Sequence, residues 1–164
     1  MTQSNFVRHT LKPIVDSNSK VLILGSFPSV VSRKQEFYYA NKTNRFWKVM
    51  EEIFHCKIED REIFLHEKGI ALWDVIASCT ISASSDASIE NVTVNDIESL
   101  IQNTQIHTIF TTGSKASKLY EKYFHLDIEH ISLPSTSSAN ARMKLETLVR
   151  EYQVIKERCD ETES

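Results

Sequence analysis

The chain lacks the patterns that announce most bound metals, nucleotides and membranes. Its three cysteines, Cys56, Cys79 and Cys159, stand far apart with no CxxC pair. Its six histidines form no H-x-x-x-H pair. A structural zinc or iron–sulfur site is therefore not expected, and the thiols read as reduced and incidental. There is no GxGxxG and no Walker lysine, which argues against a dinucleotide or ATP site. No apolar run approaches the roughly 20 residues that cross a bilayer. Residues 1–10 are polar, without an apolar targeting core. A cytoplasmic protein with no membrane partner is the expectation. Strong positive charge is missing too: the formal net charge is −3, which counts against a generic nucleic-acid binder. Local charge matters more, and Arg33, Lys34, Lys42 and Arg45 face one Glu36 in residues 33–45.

What is present is a chain of 164 residues, enough for one domain with a sizeable core. Residues 20–24 form a continuous apolar run, the mark of a strand buried on both faces. Further strands are expected at residues 70–76, 106–112 and 128–133. Between them lie helical patterns: Phe46, Val49, Met50, Ile53 and Phe54 at helical spacing, a short helix over 60–67 ended by Gly69, and one with Ile97, Leu100 and Ile101 inward that starts at Thr93 or Asn95. A further helix begins at Gly113-Ser114, and a last one carries Leu145, Leu148, Val149, Tyr152 and Ile155. Residues 80–92, rich in Ser, Asp and Asn, read as a loop. The alternation predicts an α/β fold: three αβα layers around a four-stranded parallel sheet. One domain should cover 1–159, with an irregular arm over 1–19 and a frayed tail over 160–164, fraying from Cys159 onward.

In such a sheet the carboxyl ends of all strands share one edge, where ligands bind. Loops at Gly25-Ser26-Phe27-Pro28-Ser29, after Asp74, at Thr112-Gly113-Ser114 and at Ser135-Thr136-Ser137-Ser138 should line one cleft. Gly25 and Pro28 can simply turn the chain; Gly25 can also let a ligand approach the backbone. Of the adjacent Tyr38 and Tyr39, one should be core and the other can offer a ring face to a base. Asn44 can be a helix N-cap or hold a water, and Asn140 carries the same ambiguity. Asp74 and Asp86 are the carboxylates expected near the cleft, and Asp74 can equally cap a turn. Trp47 and Trp73 belong to the core. The serine-rich row 135–138 can be a solvated turn or a grip on phosphates.

Four stretches in this order, Gly25-Ser-Phe-Pro-Ser29, Tyr38-Tyr-Ala-Asn-Lys-Thr-Asn-Arg-Phe-Trp47, Gly69-Ile-Ala-Leu-Trp-Asp-Val-Ile76 and Leu133-Pro-Ser-Thr-Ser-Ser-Ala-Asn-Ala141, resemble the uracil-DNA glycosylase superfamily. They are most similar to its hypoxanthine-DNA glycosylase branch and more distantly to the mismatch-specific uracil glycosylases. The resemblance covers about residues 8–157. It implies a base-excision repair enzyme that hydrolyses the N-glycosidic bond of a flipped, deaminated base, hypoxanthine or uracil. It also implies no metal or other cofactor, and DNA with a deaminated or mismatched base as partner. A monomer is expected. Where relatives place an Asp or Asn in the first motif, this chain has Phe27; in the branch it resembles, the matching catalytic position is Asn44. The usual His-Pro before that asparagine is Asn41-Lys42, and Ser137-Ser138 replace a leucine wedge.

By that resemblance Asn44 orients the attacking water. Tyr39 stacks on the base, and Gly25, Ser26, Phe27, Pro28, Ser29 and Asp74 surround it. Lys42, Arg45, Ser135, Thr136, Ser137 and Ser138 hold DNA phosphates. Nothing in the sequence argues for a Schiff-base role of Lys42. Two other readings remain at this stage: a non-catalytic nucleic-acid or nucleotide binding module that keeps the fold, and an α/β enzyme acting on small nucleosides.

Overall fold

The computed structural model describes residues 5–81 and 89–161. In chain order the elements are β1 (Asn5–Arg8), β2 (Val21–Gly25), α1 (Val30–Gln35), α2 (Phe46–Phe54), α3 (Arg61–Lys68), β3 (Ile70–Asp74), β4 (Ile76–Ile81), β5 (Ile89–Val94), α4 (Ile97–Ile101), β6 (Thr108–Thr112), α5 (Ser114–Tyr123), β7 (Glu129–Leu133) and α6 (Leu145–Asp160). Strands β3-β2-β6-β7 form the expected four-stranded parallel sheet.

Strand β2 reads Val-Leu-Ile-Leu-Gly and is buried throughout. Its alternation divides the core. Val21 and Ile23 pack with Phe46, Met50, Leu65 and Tyr152 of α2, α3 and α6. Leu22 and Leu24 point the other way, toward Ile97, Leu119 and Tyr120 of α4 and α5. A strand flanked on both sides has no polar face to show, which is why its sequence does not alternate. Asp60 caps α3 by accepting from the Ile63 N–H at 3.0 Å, and Gly69 ends it at φ 75°. Both ends follow from side-chain capping and a left-handed stop.

Five expectations are corrected. The irregular arm contains β1, which pairs antiparallel with β4, and Ile14 bridges Leu72. Residues 80–92 are not one loop: β4 and β5 pair across it, with register shifts, and Ser84, Ser85 and Asp86 lie outside the described residues. Exposed Glu90, Asn91 and Thr93 hide the pairing of Ile89 and Val94 with β4. The strand expected over 70–76 is two strands in different sheets. The break at Val75 is stitched by Val75 N–H to Gly25 O (2.9 Å) and Ile76 N–H to Ser26 O (3.1 Å). Asn95, expected as a helix start, instead donates to the Asp74 and Ile76 carbonyls (2.9 and 3.2 Å), and Asp96 caps α4. Nor does the chain fray at Cys159. That residue is buried and its carbonyl accepts from Lys20 Nζ, so α6 runs to Asp160.

Candidate active site

A cleft of about 980 Å³ opens at the carboxyl edge of the parallel sheet. Gly25, Ser26, Phe27, Pro28 and Ser29 line it from the loop after β2. Asp74 lines it from the end of β3, Thr112 from β6, and Ser135, Thr136, Ser137 and Ser138 from the loop after β7. Asn44 and Tyr39 approach from the segment before α2.

Asn44 is half-buried, and its Oδ1 is fully engaged. It accepts the Phe46 N–H at 2.9 Å from one residue ahead of Arg45, the N-cap position of α2, and the Thr136 hydroxyl at 2.7 Å. A backbone N–H can only donate, so the carboxamide orientation is fixed, with Nδ2 as the end left for another partner. Arg45 at the N-cap position makes no side-chain cap bond, so Asn44 is not the cap expected from sequence; its amide ties the first helical N–H to the site. Thr136 is 2% exposed, and its hydroxyl serves Asn44 where a phosphate contact was expected. Arg45 is corrected in the same way. Its guanidinium donates to the carbonyls of Ser137 (2.9 Å), Asn140 (3.1 Å), Thr136 and Met143, and it does not line the cleft. A five-donor planar fork suits the task of pinning a loop through its carbonyls. Lys42 is exposed and also lies outside the lining.

Inside that pinned loop, the Ser135 hydroxyl accepts the Ser137 N–H and the Ser137 hydroxyl accepts the Ala139 N–H, each at 3.1 Å. Asn140 donates to the Ser135 carbonyl (3.0 Å). The Ser138 hydroxyl meets that of Thr43 at 3.1 Å, linking the two rims. On the other side, Ser29 caps α1 through the Ser32 N–H.

The tyrosine pair separates at a turn, where the left-handed backbone of Tyr39, rather than strand alternation, sends the two rings apart. Tyr38 is 4% exposed and donates to the Lys12 carbonyl (2.9 Å). Tyr39 sits at φ 51° and turns toward the cleft. One face of its ring stacks on Phe46 at 3.9 Å and 13°, and its hydroxyl meets Thr112 Oγ1 at 3.2 Å. Burial, reinforced by the nearby Asp74 charge, pushes both phenols above their ordinary range. Both are therefore neutral donors at any working pH.

Asp74 is 4% exposed, and His9 Nε2 donates to its Oδ2 at 2.8 Å. Oδ1 has no partner among the described residues and sits against Gly25: a Cβ there would lie 2.6 Å from it. Gly25 is thus required sterically, because the carboxylate fills the space of its side chain. His9 has no signal in the sequence. It reaches Asp74 because β1 docks on β4, and its ring stands edge-on to Phe27 at 5.9 Å. The cleft also holds Arg33, from the last turn of α1, a helix that no sequence pattern predicts.

A family model of the Uracil DNA glycosylase superfamily matches residues 13–156. A hypoxanthine DNA glycosylase of Methanosarcina acetivorans is 30% identical over 142 residues, covering 83% of this chain and 90% of the relative. One of Methanosarcina barkeri is 29% identical over 136 residues, covering 79% and 86%. The solution NMR structure of a candidate uracil DNA glycosylase from Methanosarcina acetivorans superposes with a TM-score of 0.81 at 27% identity, across 96% of this chain and all of that one. The four sequence stretches, the parallel sheet they terminate and these likenesses converge: the chain belongs to the Uracil DNA glycosylase superfamily.

Proposed function

We propose that the protein is a monofunctional DNA glycosylase that hydrolyses the N-glycosidic bond of a deaminated base, hypoxanthine foremost, after the nucleotide swings out of DNA. The observation that carries this reading is Asn44. Its oxygen is held by Phe46 and Thr136, so its NH₂ is the end available to the cleft that Tyr39 and Asp74 share. The two hypoxanthine DNA glycosylases among its relatives support the choice of base.

Extrusion costs a few kcal/mol and is cheapest for a mispaired base. Tyr39, backed by Phe46, stacks on the extruded ring, a contact worth about 1–3 kcal/mol. The Ser26–Ser29 loop surrounds the base, and Asp74 Oδ1 accepts a ring N–H. Deamination supplies that hydrogen. Adenine N1 and cytosine N3 are acceptors, whereas hypoxanthine N1 and uracil N3 carry hydrogen, so a carboxylate oxygen favours the damaged bases. His9 keeps the carboxylate in place.

As the C1′–N bond stretches, the sugar gains oxocarbenium character and the base departs as an anion. Asn44 Nδ2 donates to one lone pair of a water and aims the other at C1′. It orients the nucleophile rather than deprotonating it, because an amide has no useful pKa. Ser135, Ser137, Ser138 and Lys42 contact the flanking phosphates, while Arg45 and Thr136 keep that loop and Asn44 in register. The working unit on DNA is the monomer.

The test is a panel of duplexes, each with one deoxyinosine, deoxyuridine or deoxyxanthosine, treated with alkali after incubation to reveal abasic sites. Strand breaks at deoxyinosine are expected. Saturable DNA binding without release of any base would replace the enzyme by a binding module. Turnover of free inosine, indifferent to DNA length and salt, would make it a nucleoside hydrolase.

A further inference from the structure

Among the described residues that line the cleft, Arg33 and Asp74 alone carry formal charge. Asp74 has a role above; Arg33 does not. Its guanidinium lies over the Phe27 ring, 5.5 Å from the centroid. Phe27 stands edge-on to His9, and His9 holds Asp74. Cation and anion are thus tied through one run of contacts at the β2–β3 end of the cleft. The serine-rich loop follows β7, at the far side of the sheet order.

Arg33 makes no side-chain hydrogen bond or ion pair among the described residues, and its Nε is sealed from solvent without a partner. A buried donor left unmatched is costly and uncommon. A guanidinium in a cleft, with Nη groups uncommitted and no counter-charge of its own among the described residues, is matched when the ligand brings acceptors.

We propose that Arg33 is a specificity-determining residue that binds the O6/N7 edge of an extruded 6-oxopurine and stabilises the base as it leaves. This rests on the glycosylase reading above. A 6-oxopurine presents O6 and N7 side by side, the acceptor pair that an arginine fork grips bidentately. N1–H lies next to O6, so a base whose N1–H meets Asp74 turns O6 and N7 toward a neighbouring donor. In the reaction, the C1′–N9 bond breaks and its electron pair stays with the base. Water oxygen bonds to C1′ and its proton passes to solvent or to the departing base. Part of the new negative charge settles on O6 and N7, so a fixed guanidinium there is worth more in the transition state than before it. A phosphate partner is disfavoured, because Arg33 lies beside the base loop and away from residues 135–138. Uracil carries one carbonyl and a C–H on the matching edge, so it uses half of the fork.

The experiment measures single-turnover excision by the full chain from duplexes holding deoxyinosine, 7-deaza-deoxyinosine or deoxyuridine, for the wild type, Arg33→Ala and Arg33→Lys. Hypoxanthine release should fall roughly 10- to 100-fold in Arg33→Ala, with little recovery in Arg33→Lys, a point charge without a fork. Uracil release should fall several-fold less. The 7-deaza substitution should cost the wild type more than it costs Arg33→Ala, since the variant has no donor left to lose. If the alanine variant does not fold, Arg33→Gln carries the same comparison. Equal hypoxanthine release with and without Arg33 overturns the proposal. So do equal losses on both lesions with the salt slope of DNA binding reduced by about one, which marks a phosphate contact. A wild type that releases no base at all fails the glycosylase reading itself, a result separate from either of these.

Discussion

Gly25→Ala is a small change with a large expected effect. Gly25 ends β2 directly opposite Asp74 in the ladder with β3. The new methyl would lie 2.6 Å from Asp74 Oδ1, and ordinary contact begins near 3.4 Å, so the carboxylate must retreat by about 0.8 Å. The backbone cannot supply that movement, because Gly25 O is held by the Val75 N–H at 2.9 Å. The side chain has to rotate, and rotation breaks the 2.8 Å bond from His9. A hydrogen bond to a charged group is worth about 1.5–3 kcal/mol, which lowers Tm by roughly 3–12 °C in a chain of this size. The displaced carboxylate no longer meets the ring N–H. A 1 Å misplacement of this kind can cost about 10²-fold in rate. Thermal denaturation followed by single-turnover excision at a temperature where the variant is folded measures both. Adding the methyl to an Asp74→Ala background should cost little further stability, because the clash is gone. A single Gly25→Ala variant with wild-type Tm and wild-type excision would refute this account of the floor.

Two further outcomes follow from the same geometry. Tyr39→Ala should weaken binding to a duplex holding a flipped-base analogue by about 1–3 kcal/mol, read by fluorescence anisotropy; unchanged affinity removes the stacking role. Arg45→Lys should lower Tm and excision together while leaving the salt dependence of DNA binding unaltered, because the fork binds carbonyls of its own loop. A salt slope smaller by about one would restore the phosphate role expected from sequence.

Apolar runs located all four parallel strands, and helical spacing with capping residues located α2 to α6; burial on both sheet faces leaves an unmistakable composition in β2, β3 and β6, though not in the half-exposed edge strand β7. The carboxyl-edge rule then gathered the loops around Gly25, Asp74, Thr112 and Ser135 into one cleft. The small antiparallel sheet was illegible for the complementary reason: its outward residues are polar, so β5 reads as a loop. That omission concealed His9, whose place depends on β1 pairing with β4. Arg33 was equally hidden, since it sits on the six-residue helix α1, too short to show a period. Arg45 and Thr136, expected at phosphates, both turn to hydrogen-bond partners within the protein. Type indicates what a side chain can bind, and only the packing shows what it does bind.

The sharpest examination of the whole account is Asn44→Ala on a deoxyinosine duplex, with rates normalised to folded protein. Losing the bond to the Phe46 N–H should cost about 1 kcal/mol of stability, while excision falls by roughly 10²-fold or more as the water loses its alignment. Excision close to wild type would leave Asn44 as a structural acceptor for the Phe46 N–H and contradict the mechanism.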